Sequence, residues 1–435
     1  MSWHSIDNQS NIYITGEWNG PKMVFGTDTL NNYFGPICGG TNMFIAKYDS
    51  NGNLIWVKNY GQQGGKNATD SYGNILCCFN GYGLGSIIAK YNANNGDTVW
   101  TRTPNYSFGF YFANSICTDI SGNAYLTGYF SGTLVFGNDT LPKLPSSTGD
   151  NVFIVKYDSN GNVLWARNSE ASYNDAGMSV ATDIKKNVYV TGTFQGPTTK
   201  FGSIALTNHG GCCGNPSDIF IVKYDSIGNV LWARSEGGLG FDAGYSVNTD
   251  LVGNVYVTGY YEGSITIGSY TLGNIAGDGI YIAKYDANGN VLWALGQNGG
   301  NSSSEGFSMC TDLNNNLIVT GDFGNTNLIL GADTLNSNGG DILLAKISSL
   351  TGIQQLFMDN TFSVFPNPTS GAFVLVSELK QFQIEIYNVM GEKVFSKIQQ
   401  HTTSTIDLSS YPSGIYFLKI TAKDGSAAVK KIIKE

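Results

Sequence analysis

The chain repeats itself, and the repeat restricts what it can fold into. An Asp followed eight residues later by Thr-Gly occurs at Asp7/Thr15, Asp119/Thr127, Asp183/Thr191, Asp250/Thr258 and Asp312/Thr320. A Lys recurs at Lys47, Lys90, Lys156, Lys223, Lys284 and Lys346. A Trp follows nine residues later at Trp56, Trp165, Trp232 and Trp293, and ten later at Trp100. Between these landmarks stands an apolar residue and Gly, with Leu four residues after the Gly: Phe25-Gly26/Leu30, Phe136-Gly137/Leu141, Phe201-Gly202/Leu206, Ile267-Gly268/Leu272 and Leu330-Gly331/Leu335. Fixed offsets over a period of roughly sixty residues define a repeat architecture.

One unit reads as four main strands plus a small inserted hairpin. In the fourth unit the strands are expected at about 179–182, 188–193, 219–224 and 230–234. The run Ile219 to Val222 is short, apolar and bounded by turn residues, which suits a strand buried on both faces. Ser226-Ile227-Gly228-Asn229 then turns the chain into Val230-Leu231-Trp232, the pattern of a β-hairpin. The expected fold class is all-β. Four antiparallel strands per repeat imply a propeller blade, and a single sheet must cover its faces with neighbours. Six blades are expected, at about 1–59, 60–102, 103–168, 169–235, 236–299 and 300–358. The second is degenerate: Asp70 and Lys90 are close together, and its Thr-Gly and inserted hairpin are missing. The first begins inside its innermost strand, with Trp3 to Asp7.

Composition narrows the function classes. Charged residues make up 13% of the chain, about half the ~25% of an ordinary globular protein. Residues 1–360 carry 16 Lys and Arg against 27 Asp and Glu, and residues 361–435 carry 8 against 6. An acidic body argues against a nucleic-acid partner, which needs a basic face. No apolar run is long enough for a membrane-spanning helix. Met1-Ser2-Trp3-His4 does not open a secretory signal peptide; this and the abrupt first blade suggest that the natural N-terminus lies upstream, with room there for a seventh blade. The seven cysteines form no regular disulfide framework.

The landmarks of residues 3–358 resemble bacterial β-propeller repeats of the SBBP type, D-x-x-G-N-x-Y-x-T-G followed by a K-Y-D strand. That resemblance implies a scaffold and names no activity. After Asp359 to Thr361 the composition shifts. Seven short alternating strands are expected in residues 362–435, a small β-sandwich. Phe365-Pro366-Asn367-Pro368 with Gly371, Ile386-Tyr387-Asn388 with Gly391, Ser413-Gly414-Ile415-Tyr416 and the closing Lys430-Lys431-Ile432-Ile433-Lys434 resemble the type A C-terminal sorting domain of the type IX secretion system. The resemblance implies export across an outer membrane of Bacteroidota type by that machinery, to the cell surface or the medium. Its signal residues would be Pro366, Asn367, Pro368, Gly371, Gly391, Gly414, Lys430 and Lys431.

Catalytic equipment is sparse. The histidines are His4, His209 and His401, and none stands in a nucleophile motif. His209-Gly-Gly-Cys212-Cys213, with Cys38 in the corresponding loop of the first unit, offers too few ligands for a zinc site. Cys117 and Cys310 occupy equivalent innermost-strand positions and read as small side chains near a crowded axis. The Asp49–Asn53, Asp158–Asn162 and Asp286–Asn290 turns superficially resemble calcium loops but lack the EF-hand spacing; each Asp is expected to hold its own turn, and each repeat Lys to form a cross-strand ion pair. No metal and no cofactor is expected. Tyr173 and Asp175, Phe241 and Asp242, and Glu305 stand just before innermost strands, with Tyr111 and Asn114 in the third unit. Converging at one mouth of a channel, acids beside aromatics suit a cation or a sugar stacked on a ring; otherwise the Asp residues merely cap tight turns. The expected function is non-enzymatic binding of a glycan or protein. The alternatives are a carbohydrate-active enzyme using Asp175, Asp242 and Glu305, and a structural surface spacer.

Overall fold

The computed structural model describes residues 2–435 except 33–41, 61–64, 82–84, 108, 144–148, 172, 211–215, 298–302, 313–314, 325–326, 332, 338, 349–361, 378–380, 389–391 and 423–426. The described residues are strands, turns and loops, without a helix. The chain divides into two compact units, Met1–Lys346 and Ile347–Glu435.

In the larger unit each sequence repeat is an antiparallel meander. The first pairs Ser2–Ile6, Ile12–Trp18, Asn42–Tyr48 and Leu54–Asn59 in chain order. The fourth does the same with Asp175–Thr182, Val188–Gln195, Ser217–Tyr224 and Val230–Gly238. The degenerate second repeat still makes four strands, from Asn67–Thr69 to Thr98–Arg102. Three main strands of the sixth are described, Ser303–Thr311, Leu317–Gly324 and Gly340–Ile347. The inserted hairpins appear where the apolar-Gly landmark lies, for example Thr198–Phe201 with Ile204–Thr207.

The recurring residues explain how one unit holds the next. Ser217–Tyr224 is buried along its whole length, because consecutive sheets cover its two faces. One core joins Tyr189, Ile219 and Ile221 of the fourth unit to Val257, Tyr261 and Tyr281 of the fifth. Analogous cores lie between the first and second, second and third, and third and fourth units. The Thr of Thr-Gly is fully buried at Thr15, Thr127, Thr191 and Thr258: Thr191 Oγ1 donates to the Phe220 carbonyl at 2.8 Å, and its Gly is obligatory because a Cβ on Gly192 would lie 1.9 Å from the Ala176 carbonyl oxygen. Innermost strands are linked in series by threonine hydroxyls. Thr69 donates to the Ile6 carbonyl, Thr118 to Thr69, Thr182 to Thr118, Thr249 to Thr182 and Thr311 to Thr249, at 2.6–3.2 Å.

The Lys and Trp landmarks meet at one atom. Lys156 Nζ and Trp165 Nε1 both donate to the Ser226 carbonyl in the next unit, at 2.9 and 3.2 Å. Lys47 and Trp56 share the Ala93 carbonyl, Lys90 and Trp100 that of Ser159, and Lys223 and Trp232 that of Ala287. The expected ion pairs accompany this at Lys47–Asp7, Lys90–Asp70, Lys284–Asp250 and Lys346–Asp312. Each Asp-x-x-x-Asn turn is held by its own Asp: the Asp158 carboxylate accepts from the Asn160 and Asn162 amides and the Asn162 side chain at 2.8–2.9 Å.

The smaller unit has a three-stranded sheet, Phe362–Phe365, Ala372–Ser377 and Thr403–Asp407, and a four-stranded sheet, Lys393–Gln399, Phe382–Asn388, Gly414–Ala422 and Ala427–Lys434. Their apolar faces share one core containing Phe373, Leu375, Ile384, Ile386, Leu418 and Ile432. No helix of the described residues is long and apolar enough to cross a membrane.

Candidate functional site

Every unit has two ends. The Asp-x-x-x-Asn turns occupy one. At the other, the innermost strand starts, the second strand ends and the third begins, so residues far apart in sequence become neighbours. In the fifth unit this end pairs Ala243 with Tyr260 and Glu262 with Asp278. In the sixth it pairs Glu305 with Asp322.

The two Asp residues singled out by sequence turn inward. Asp175 is 1% exposed, and its carboxylate accepts from the Thr199 hydroxyl. Burial pushes it up to about 8. Asp242 is fully buried; it accepts from the Gly238 and Glu262 amides at 2.7 and 3.3 Å. Burial, with Asp218 and Glu262 nearby, holds it at about 8 as well. The Asp242 carboxylate braces backbone amides, whereas that of Asp175 ties the innermost strand to a side chain of the inserted hairpin. Their aromatic neighbours Tyr173 and Phe241 face solvent, and Glu305 is half-buried. Tyr111 is buried, its hydroxyl donating to the Ser86 carbonyl at 2.7 Å.

Glu305 belongs to a different constellation from the one expected. The Tyr245 ring lies 5.4 Å from Tyr260 and 6.2 Å from Phe307, centroid to centroid. Two like-charged cross-strand pairs, Glu262/Asp278 and Glu305/Asp322, border these rings. Like charges directly opposite each other are unfavourable, and in each pair one acid raises the other. Glu305 is raised by burial and then by Asp322 and Asp278; Asp278 is raised by burial and then by Glu262. Tyr245 is raised by burial, with Glu305 next among the neighbours acting on it. The third unit carries a smaller version. Phe110, Phe112 and Tyr129 stack within 5.5–6.2 Å of one another, and Asp150 beside them is raised by burial. Such a surface offers π-faces and hydrogen-bond acceptors together, which fits a sugar ring or an organic cation.

Repeat alignment could have found these residues. Tyr245 and Phe307 stand five residues before the Asp of their units, where the third and fourth units have Asn114 and Met178. Tyr129 and Tyr260 both follow Thr-Gly, and Asp150 and Asp278 both precede the Lys by six. Lys66 in the second unit reaches the fourth, its Nζ 3.4 Å from the Met178 carbonyl. Asn114 donates to the Gly177 carbonyl at 3.0 Å.

Other candidates resolve differently. His209 Nδ1 lies 2.6 Å from the buried Asp218 carboxylate, beside an open groove of about 750 Å³ also lined by Arg234 and Glu236. Burial holds Glu236 at about 7. Cys38, Cys212 and Cys213 lie outside the described residues. Cys117 and Cys310 are free thiols, raised by burial and a nearby Asp. Among the described residues no three His, Cys, Asp or Glu side chains are placed to share a metal ion.

In the smaller unit, the Asn367 side chain clamps the final strand: Nδ2 donates to the Lys431 carbonyl at 2.7 Å, and Oδ1 accepts from the Ile433 amide at 2.8 Å. Lys430 lies over the Phe362 ring and donates to its carbonyl at 3.2 Å. Pro366 and Pro368 are exposed. Gly371 has a positive φ against Ser409, Gly414 has open space around it, and Gly391 is outside the described residues.

The chain is 26% identical over 385 aligned positions to an uncharacterized WD repeat-containing protein of Acanthamoeba polyphaga mimivirus, covering 79% of this chain and 26% of that protein. It is 27% identical over 173 positions to the regulatory protein FlaEY of Caulobacter vibrioides, covering 40% of this chain and 18% of that protein. It thus spans about a quarter or less of these relatives. Among solved structures, PorZ, a bacterial surface component of the type-IX secretion system of Porphyromonas gingivalis, aligns with a TM-score of 0.38 at 12% identity, covering 99% of this chain and 59% of that one. Residues 363–435 match the family described as "Secretion system C-terminal sorting domain". That segment, with the final strand clamped by Asn367, is a secretion-system C-terminal sorting domain, and it marks the chain as a secreted or cell-surface protein.

Proposed function

We propose that the chain is an exported binding protein: a six-bladed propeller of SBBP-type repeats, delivered by the type IX machinery through residues 362–435, that holds a glycan on the surface formed by Tyr245, Tyr260 and Phe307. The observation that carries the ligand reading is the pairing of those rings with Glu305, Asp322, Glu262 and Asp278. Sugar rings stack on aromatic faces while their hydroxyls donate to carboxylates. Serial linkage of the innermost strands supports a radial arrangement of the blades. The reading is non-enzymatic because both acids are buried in the fold, Asp175 against the Thr199 hydroxyl and Asp242 against the Gly238 and Glu262 amides.

The test is a glycan array probed with the full chain. Tyr245→Ala and Phe307→Ala should each abolish the strongest signals. Hydrolysis or elimination products from a bound glycan would support the enzyme alternative, and an array without signal would leave a spacer. Removal of residues 362–435 should retain the protein in the periplasm; normal surface delivery of that truncation would contradict the export route.

A further inference from the structure

Four of the innermost strands carry the same irregularity. Their pairing with the second strand slips by one residue between Ala113 and Ser115, Gly177 and Ser179, Gly244 and Ser246, and Gly306 and Ser308. Each slip is a β-bulge, and the extra residue is Asn114, Met178, Tyr245 or Phe307. A bulge re-aims a side chain, and bulges gather beside binding sites. The Ser after each bulge residue accepts from an amide two residues past the next one: Val180 donates to Ser115, Val247 to Ser179 and Met309 to Ser246, at 3.1–3.3 Å. The four re-aimed side chains therefore form a row. Asn114 Nδ2 lies 3.6 Å from Met178 Sδ at one end, and Tyr245 lies beside Phe307 at the other.

The row is polar in the electrical sense. Four carboxylates border its aromatic end. At its other end stands Lys66, directly before the innermost strand of the second unit, with its Nζ 3.4 Å from the Met178 carbonyl oxygen. That separation is long for a hydrogen bond. The repeat lysines Lys47, Lys90, Lys284 and Lys346 each have an Asp as counter-ion. Lys66 differs: every Asp and Glu of residues 1–346 is among the described residues, and none pairs with it. Burial lowers its pKa below the usual lysine value, the direction expected of an amine removed from water without a carboxylate beside it.

We propose that the binding surface continues from Tyr245 and Phe307 across Met178 to Asn114 and Lys66, and that its ligand is an acidic oligosaccharide whose uronic-acid carboxylate pairs with Lys66 while a neutral sugar stacks on the rings. This rests on the glycan reading above and adds the charge of the ligand and its direction. A carboxylate at the ring end would face Glu262, Asp278, Glu305 and Asp322, where like charge is costly. A saccharide that alternates neutral and acidic sugars meets both ends with the right group; a uniformly charged one does not.

The experiment titrates the full chain by calorimetry with hexasaccharides of hyaluronan and of unsulfated chondroitin, in which glucuronate alternates with an N-acetylhexosamine, and with their carboxyl-reduced forms. The acidic forms should bind about tenfold more tightly than the reduced ones, as a charge-assisted hydrogen bond allows. Lys66→Met should bring the acidic forms down to the affinity of the reduced forms. Binding of the reduced forms should not change, which also shows that the variant is folded. Equal affinity of acidic and reduced forms for the native chain, or a preference that survives Lys66→Met, overturns the proposal. The two readings fail separately. Equal binding of both forms that Tyr245→Ala abolishes, or array signals from neutral glycans alone, removes the acidic ligand and leaves the aromatic surface standing; an array without any signal removes both.

Discussion

The two ends of each repeat unit obey different rules. At the turn end, Asp, Asn and Gly recur with similar contacts, and four Lys and Trp pairs each share a carbonyl of the next unit. At the opposite end the units diverge: Asn114, Met178, Tyr245 and Phe307 occupy one equivalent position, and acids face acids. Uniform, satisfied chemistry assembles sheets. Divergent chemistry with unrelieved like charges has no assembly role to explain it, and there the candidate site lies.

Breaking the uniform end should cost most. Trp165 is 5% exposed and joins two units through ring packing and its Ser226 contact. Trp165→Ala should lower unfolding free energy by about 3–5 kcal/mol, read by denaturant titration at 25 °C. A loss within the range of a surface substitution would show that the indole does not hold the units together.

The next effect is pH-dependent and sits at the divergent end. Asp175 and Asp242 at about 8, and Glu236 at about 7, lie above their ordinary values because burial disfavours the charged form. Between about pH 4 and pH 8 the folded chain therefore binds more protons than the unfolded one, so stability falls as pH rises through that window. Asp242→Asn should flatten the fall, measured as the midpoint of thermal unfolding from pH 4 to 8. A midpoint rising steadily to pH 8 would contradict the burial account. Asp49 behaves oppositely: hydrogen bonds from Asn53 hold it below the usual range, so its contribution is present above about pH 4 and lost below.

Smaller still is Asp158→Ala, which removes three hydrogen bonds from an exposed turn. A loss of about 1 kcal/mol is expected, because water replaces much of what is removed. Phe307→Ala should change stability least, since that ring is 49% exposed, while removing ligand binding. A large stability loss there would mean that the ring is packing and not part of a site.

Much of the strand pattern was legible because it rests on local offsets. Period-two burial, Thr-Gly spacing and the Asp-x-x-x-Asn turns each act within a few residues, so sequence alone places them. The shared carbonyl acceptors were not legible. Lys156 and Trp165 meet at Ser226 across some seventy residues, and no local pattern names that partner. The repeat Lys was expected only as an ion-pair partner; the structure adds its second role as a donor to the next unit. At the site, sequence drew attention to Asp175 and Asp242 because acids beside aromatics look functional. It could not see that Asp175 turns inward to Thr199 and Asp242 to the Gly238 and Glu262 amides, or that Tyr260 and Asp278 arrive from neighbouring strands. Of that group only Glu305 remains beside the rings.

The most direct test of the division between the ends is a set of affinities for one ligand. The strongest glycan from the array would be titrated by calorimetry against the native chain, Tyr245→Ala, Phe307→Ala and Asp158→Ala, all confirmed folded. The account predicts at least tenfold weaker binding for the two aromatic variants and native affinity for Asp158→Ala. Equal affinity in all four proteins, or loss confined to Asp158→Ala, would contradict it.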